Sequence, residues 1–381
     1  MIGLLGILIA LLMLIYLAFR GISVLVLGPI MALLAASFSL QPGLATYTQI
    51  FMPAMGGFAI AYFPLFLLGA VFGRFMETTG SAEAISNRVV ESVGKSRAIA
   101  AVVCASAVLT YGGVSLFVVA FALYPVAANL FRAADVPKRL LPATIALGAF
   151  TFTMTALPGT PAIQNAIPMP YFGTTPFAAP GLGIIAAVIM ALGGMAWLLH
   201  RQRRAHRQGE RYGACEEAQA MSVERAGDAA CLPGLPTAVL PIMAVIILNY
   251  VLSVSVLPAL DTAYLAEARF GGTSIAEVRG IWAIVSALSV GILLLVLLNR
   301  KRLHTPAADL NTGAEASLLP IFNTASIVGF GAVIAGLPAF DALKAAVEST
   351  SDSPLVSLAI SASALAGLTG SASGGMSIAL E

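Results

Sequence analysis

The chain has 381 residues, 59% of them hydrophobic and only 10% charged, with a formal net charge of +2. Soluble domains carry about 25% charged residues, so a water-soluble globular protein is excluded. A balance this close to neutral also lacks the basic footprint of a nucleic-acid binder. The cysteines, Cys104, Cys215 and Cys231, show no metal-ligand spacing and read as free thiols.

Several uncharged runs exceed the ~18 residues that mark a membrane span, so the class is an all-α polytopic membrane protein. Residues 1–19 form the first span. They lack a basic leading region and another span follows at once, unlike a secretory signal. Further spans follow at 22–39 and 54–73. Residues 75–94 then set Ala84, Ile85 and Val89 against Glu83, Arg88 and Glu91 at helical spacing. That pattern reads as an amphipathic helix on the membrane surface or as a solvated loop helix.

The stretch 98–131 has no charge between Arg97 and Arg132, yet Thr110-Tyr111-Gly112-Gly113-Val114-Ser115 interrupts it. Basic residues at both ends place both flanks on one side of the membrane, so the expectation is a re-entrant hairpin. Non-helical backbone at such depth persists only where protein buries it or where it lines a cavity.

Residues 140–171 are too many for one straight span. They contain Leu157-Pro158-Gly159-Thr160-Pro161 and then Gln164-Asn165. Prolines around Gly-Thr cannot continue a helix, so we expect one discontinuous helix broken at 158–161, with Gln164 and Asn165 opening its second half. A proline-rich loop outside the membrane is the plainer alternative. A span at 181–199 leads into the basic stretch 200–211, with Arg201, Arg203, Arg204, Arg207 and Arg211. The positive-inside rule makes that loop cytoplasmic. Spans at 235–256, 280–298 and 318–336, an amphipathic segment at 340–352 and an apolar run from 355 complete the chain.

Glu91-Ser92, Ala105-Ser106-Ala107 and Gly113 recur at one constant offset as Glu348-Ser349, Ala362-Ser363-Ala364 and Gly370. Both halves also read as three spans, an amphipathic segment and a hairpin. The charge rule starts the first half outside and the second inside. The expected organisation is therefore a pair of inverted repeats, 1–199 and 233–381, joined by a basic cytoplasmic linker at 200–232. Inverted repeats with broken helices are a design of secondary transporters, with substrate held near the midplane.

Every Asp, Glu, Lys and Arg falls outside these spans or at their edges, so no buried cation is available to clamp an anion. The candidate substrate-binding residues are accordingly hydroxyls, amides and backbone groups. They are Thr110, Tyr111, Gly112, Gly113 and Ser115 in the first hairpin and Pro158, Gly159, Thr160, Gln164 and Asn165 in the broken helix. The second hairpin adds Thr369, Gly370, Ser371 and Ser373. Any one of these small polar residues serves close packing more readily than binding. Their clustering at repeat-related positions favours a site. Asn323 with Thr324 reads as a satisfied packing pair. No catalytic triad, metal motif or phosphate loop is present, which argues against an enzyme, and no cofactor is called for.

At Tyr111-Gly112-Gly113-Val114-Ser115, Leu157-Pro158-Gly159-Thr160-Pro161 and Gly370-Ser371-Ala372-Ser373 the chain resembles the gluconate permease (GntP) family. That family belongs to the ion-transporter superfamily, which includes citrate and dicarboxylate carriers. The resemblance implies proton-coupled uptake of a small sugar acid or hydroxy acid, gluconate-like or hydroxybutyrate-like, across a bacterial inner membrane. It also implies a homodimer with an elevator-like moving domain. One departure stands out: after Gly113 the first repeat runs on to Leu199, whereas after Gly370 the chain ends at Glu381. The second repeat reads as truncated. Sodium coupling and a non-transporting membrane scaffold are the alternatives.

Overall fold

The computed structural model describes residues 2–94, 97–114, 116–212, 232–340, 354–369 and 372–380. Every regular element among them is helical. Six helices are long and apolar enough to cross a membrane: Ile2–Phe19, Gly43–Thr78, Pro180–Arg207, Leu235–Ala259, Ile275–Leu298 and Pro306–Ala335. The chain is therefore built as a polytopic membrane protein.

The residues divide into two compact units that do not follow chain order: Met1–Phe66 with Ala316–Glu381, and Leu67–Glu315. The first unit holds α1 (Ile2–Phe19), α2 (Val24–Phe38), the start of α3 (Met52–Thr78) and the end of α14 (Pro306–Ala335). It also holds α15 (Pro354–Thr369) and α16 (Ala372–Leu380), which pack on each other. Ile7, Leu14, Met31, Phe51 and Phe330 form its core. The Asn323 side-chain oxygen accepts from the Leu25 amide at 3.1 Å and the Ser23 hydroxyl at 3.3 Å, capping the start of α2. Asn323 is thus a satisfied polar group, as expected.

The second unit carries the stretch 98–131, which forms two successive helices. α4 (Ser81–Val93) buries Ala82, Ile85, Ser86 and Val90. It packs on both of those helices, α5 (Ala98–Tyr111) and α6 (Leu116–Ala133), and on α12 (Leu235–Val251). The amphipathic helix thus starts at Ser81, and its apolar face meets protein. The stretch 140–171 is more fragmented than one break allows. It forms α7 (Leu141–Ala149), α8 (Phe152–Thr155), α9 (Ile163–Ala166) and α10 (Pro168–Phe172). An extra interruption falls at Thr151, whose φ of −114° and ψ of −111° leave the helical region. α11 (Pro180–Arg207) packs on α7 and α8, and α12 pairs with α13 (Ile275–Leu298).

Two spans run past their expected ends. α3 continues to Thr78 and α14 begins at Pro306, because Arg74 and Asp309 neutralise each other. Nε and Nη2 of Arg74 both lie 3.2 Å from the Asp309 carboxylate, which is nearly buried, and Glu77 approaches Arg74 Nη1 at 3.3 Å. Arg74, just past the expected end of its span, is thereby a helical residue. Replacing Asp309 with Asn removes the charge-assisted part of this contact, worth about 1.5–3 kcal/mol. A melting temperature several degrees lower in detergent is expected, and an unchanged one contradicts this role.

Beyond α11 the chain folds back on the turn after α6. The Asp135 carboxylate accepts from the Tyr212 amide at 3.2 Å and pairs with Arg211. The Tyr212 backbone bond first, and then Arg211, hold its carboxyl below the usual carboxylate range. A depressed folded-state value means the anchor is complete above the unfolded value of about 3.9 and lost only as pH falls further. The protection factor of the Tyr212 amide should therefore be equally high at pH 6 and pH 5, and Asp135→Asn should lower it at both.

Candidate functional site

The break between α5 and α6 is a helix C-cap. Gly113 N–H donates to the Thr110 carbonyl at 3.0 Å, and Val114 N–H to Leu109 at 3.2 Å. This is the Schellman pattern, which needs a left-handed residue after the helix. Gly113 supplies it with φ +88°. A Cβ at Gly113 would lie 3.0 Å from Pro161 Cγ, and one at Gly112 would lie 2.5 Å from the Ile242 side chain. The turn between α5 and α6 therefore sits directly against the broken helix and against α12.

The loop from Ala156 to Ala162 is the partner surface. Gly159 adopts φ +86° and donates its N–H to the Pro176 carbonyl at 2.7 Å. A Cβ there would meet the Phe177 ring at 2.3 Å. Phe177 in turn packs edge-on against Tyr250 of α12, with ring centroids 5.1 Å apart.

With no helix to pair them, the loop carbonyls are taken by side chains. The Tyr111 hydroxyl donates to Pro158 O at 2.8 Å. The Asn249 amide donates to Gly159 O at 3.1 Å. The Asn165 amide donates to Thr160 O and to Pro176 O, both at 3.1 Å. Three elements thus converge on three successive carbonyls.

Two of the three clamp residues, Tyr111 and Asn165, are preceded by a polar group without a partner among the described residues. Thr110 is 4% exposed, and its hydroxyl makes no hydrogen bond to any described residue. Ser106, one turn earlier, donates normally to Val102 O at 2.8 Å. The side-chain oxygen of Gln164 is buried and equally unpaired. Buried polar atoms almost always have a partner, so these two mark where a ligand or ordered water would bind.

The structure therefore brings Thr110, Tyr111, Gly112 and Gly113 together with Pro158, Gly159, Thr160 and Asn165. Thr160 is fully buried and its hydroxyl accepts from the Ala162 amide at 3.4 Å. Ser115, Gly370 and Ser371 lie outside the described residues. Thr369 ends α15, and Ser373 is buried in α16, both in the other unit. Asn249 escaped the sequence reading. Its signal was a lone amide within the apolar run 235–256, and it is completely buried. Ser253 reinforces it, donating to Asn249 O at 2.6 Å where α12 widens into a π-helical turn, Leu252–Val256.

Hydrogen bonds inside membrane proteins average about 0.6 kcal/mol and reach ~1.7. Asn249→Leu strips the Gly159 carbonyl of its donor, and a loss near the upper end of that range is expected in thermal unfolding. Tyr111→Phe removes one exchangeable contact and should cost less. The reverse order would contradict the central place given to Asn249.

Comparison with known proteins agrees with the architecture. The family model described as GntP family permease matches residues 1–379. An uncharacterized transporter, YxjC, of Bacillus subtilis (strain 168) is 44% identical over an alignment covering 98% of this chain and 82% of that protein. The chain belongs to the GntP permease family, and it is a multi-pass membrane transporter and not an enzyme.

Proposed function

We propose that the protein is a secondary active transporter that carries a small hydroxy-carboxylate, a sugar acid or hydroxybutyrate-like anion, by proton symport across a bacterial inner membrane. The observation that carries this reading is the pair of buried, unpartnered groups, Thr110 Oγ1 and Gln164 Oε1. Each adjoins a residue that clamps the same loop. Hydroxyl and amide groups suit a polyhydroxylated anion, which both donates and accepts hydrogen bonds. Backbone N–H groups at the helix breaks would hold the carboxylate in place of an arginine. The loop carbonyls already accept bonds from protein, which makes them poor sodium ligands and favours protons as the coupling ion.

In this reading 98–131 is a re-entrant hairpin. α5 has 14 residues, about 21 Å at 1.5 Å per residue, too short for a ~30 Å hydrocarbon core. The halves 1–199 and 233–381 act as inverted repeats about the linker 200–232, and Thr369–Ser373 takes the equivalent part by its repeat-related position. The working form is a homodimer.

Counterflow of labelled gluconate or 3-hydroxybutyrate in proteoliposomes tests the reading. Saturable exchange of at least one is expected, driven by a pH gradient and indifferent to sodium. Uptake that follows a sodium gradient instead would replace the proton, and exchange of neither hydroxy acid would defeat the proposal. Gln164→Leu should raise KM about ten-fold for the hydroxylated substrate, the cost of one lost hydrogen bond of about 1.4 kcal/mol. The same variant should change little for an analogue lacking the hydroxyl.

A further inference from the structure

A groove of about 320 Å³ opens at the charged end of α11, lined by Arg139, Leu140, Ala143, Trp197, Leu198 and Arg201. That volume lies at the lower end of pockets that hold small molecules. Its floor is apolar, since Leu198 and Leu140 are almost fully buried. Its rim carries two guanidinium groups and an indole. Arg201 stands 5.9 Å over the Trp197 ring. Arg139 is tied to Glu210. Arg201 has no acidic partner among the described residues, so its charge is balanced only by the ring.

The helix that carries the groove is the least buried of the six long apolar helices among the described residues. Only 11% of the apolar window of α11 is buried, against 61% for α14. Leu182, Ile185, Ile189 and Leu192 all stand exposed along it. Trp197 is 63% exposed and comes just before the first charged residues, the position of an indole at the headgroup level of a bilayer. A basic pocket between helices at that depth is suited to an anionic lipid headgroup.

We propose that this groove seats the phosphate headgroup of an anionic phospholipid. Arg201 and Arg139 would bind the phosphate, and one acyl chain would run along Leu198 and the exposed face of α11. The occupant is lipid and not free phosphate because the groove combines the cations with an apolar floor that opens onto a lipid-facing helix. The proposal is independent of the transported substrate.

Native mass spectrometry and thermal melting of the delipidated full-length chain in detergent test it. Dioleoylphosphatidylglycerol should be retained and raise the melting temperature by several degrees, and dioleoylphosphatidylcholine should do neither. Arg201→Gln should cut retention at least ten-fold, while Arg207→Gln, on the same basic run beyond the groove, should not. Equal retention by the Arg201 variant would overturn the assignment. So would equal stabilisation by inorganic phosphate alone, which would make the site one for a free anion. In a Trp282→Phe background, brominated phosphatidylglycerol should quench Trp197 more than brominated phosphatidylcholine. Equal quenching would overturn the proposal without recourse to an arginine variant.

Discussion

A peptide group in the hydrocarbon region of a membrane has no water to bond, so any interruption of a helix must be repaired by the protein itself. The loop between α8 and α9 interrupts a helix, and the pairing of its carbonyls organises the second unit. Pro158, Gly159 and Thr160 expose consecutive carbonyls, and Tyr111, Asn249 and Asn165 each satisfy one. Those three side chains come from α5, from α12 and from the broken helix itself. The need to pair a few oxygens thereby fixes the mutual placement of segments far apart in sequence. Gly113 and Gly159 are the local conditions for it, since each takes a left-handed turn in direct contact with a neighbour's ring, Pro161 or Phe177.

Repair of the loop is selective. The carbonyls are saturated, yet the Thr110 hydroxyl and the Gln164 oxygen, each one residue away from a clamp, are left without partners. A packing role does not account for this. A threonine used only for packing would turn its hydroxyl to the carbonyl of the preceding turn, as Ser106 and Thr144 do. Under the proposed reading, the paired backbone is a rigid frame and the groups left unpaired among the described residues are those a ligand would meet.

Much of this was legible in the sequence, for identifiable reasons. Long uncharged runs announced the spans, because hydrocarbon tolerates little else. Gly112-Gly113 and Pro158-Gly159-Thr160-Pro161 announced the breaks, because glycine takes the left-handed turn that a helix end uses and closely spaced prolines remove helix donors. What was not legible depended on pairing across the fold. Asn249 is an ordinary amide until Gly159 O is placed 3.1 Å away. Arg74 reads as the end of a span until Asp309 meets it from a helix more than two hundred residues on. The fragmentation of 140–171 exceeded one break because Thr151 interrupts the helix at a point that carries no strong breaker residue. Short-range chemistry shows in sequence, and long-range satisfaction of polar groups does not.

The same economy separates the helices by environment. α14, with 61% of its apolar window buried, carries polar residues along its length, and several of them find partners within their own unit. Asp309 meets Arg74 in one unit. In the other, Asn323 meets Leu25 and Ser23, and Ser326 meets the Val24 and Leu25 carbonyls at 3.2 Å. Gly28 allows that last contact, since a Cβ there would stand 2.2 Å from the Ser326 hydroxyl. α11, with 11% buried, carries no polar side chain between Pro180 and Leu199 except the indole of Trp197. A helix surrounded by protein can hold polar groups because partners are at hand. A helix facing lipid must defer them to its end, where headgroups take the partner's part. The Arg201–Trp197 groove is where α11 first meets that condition.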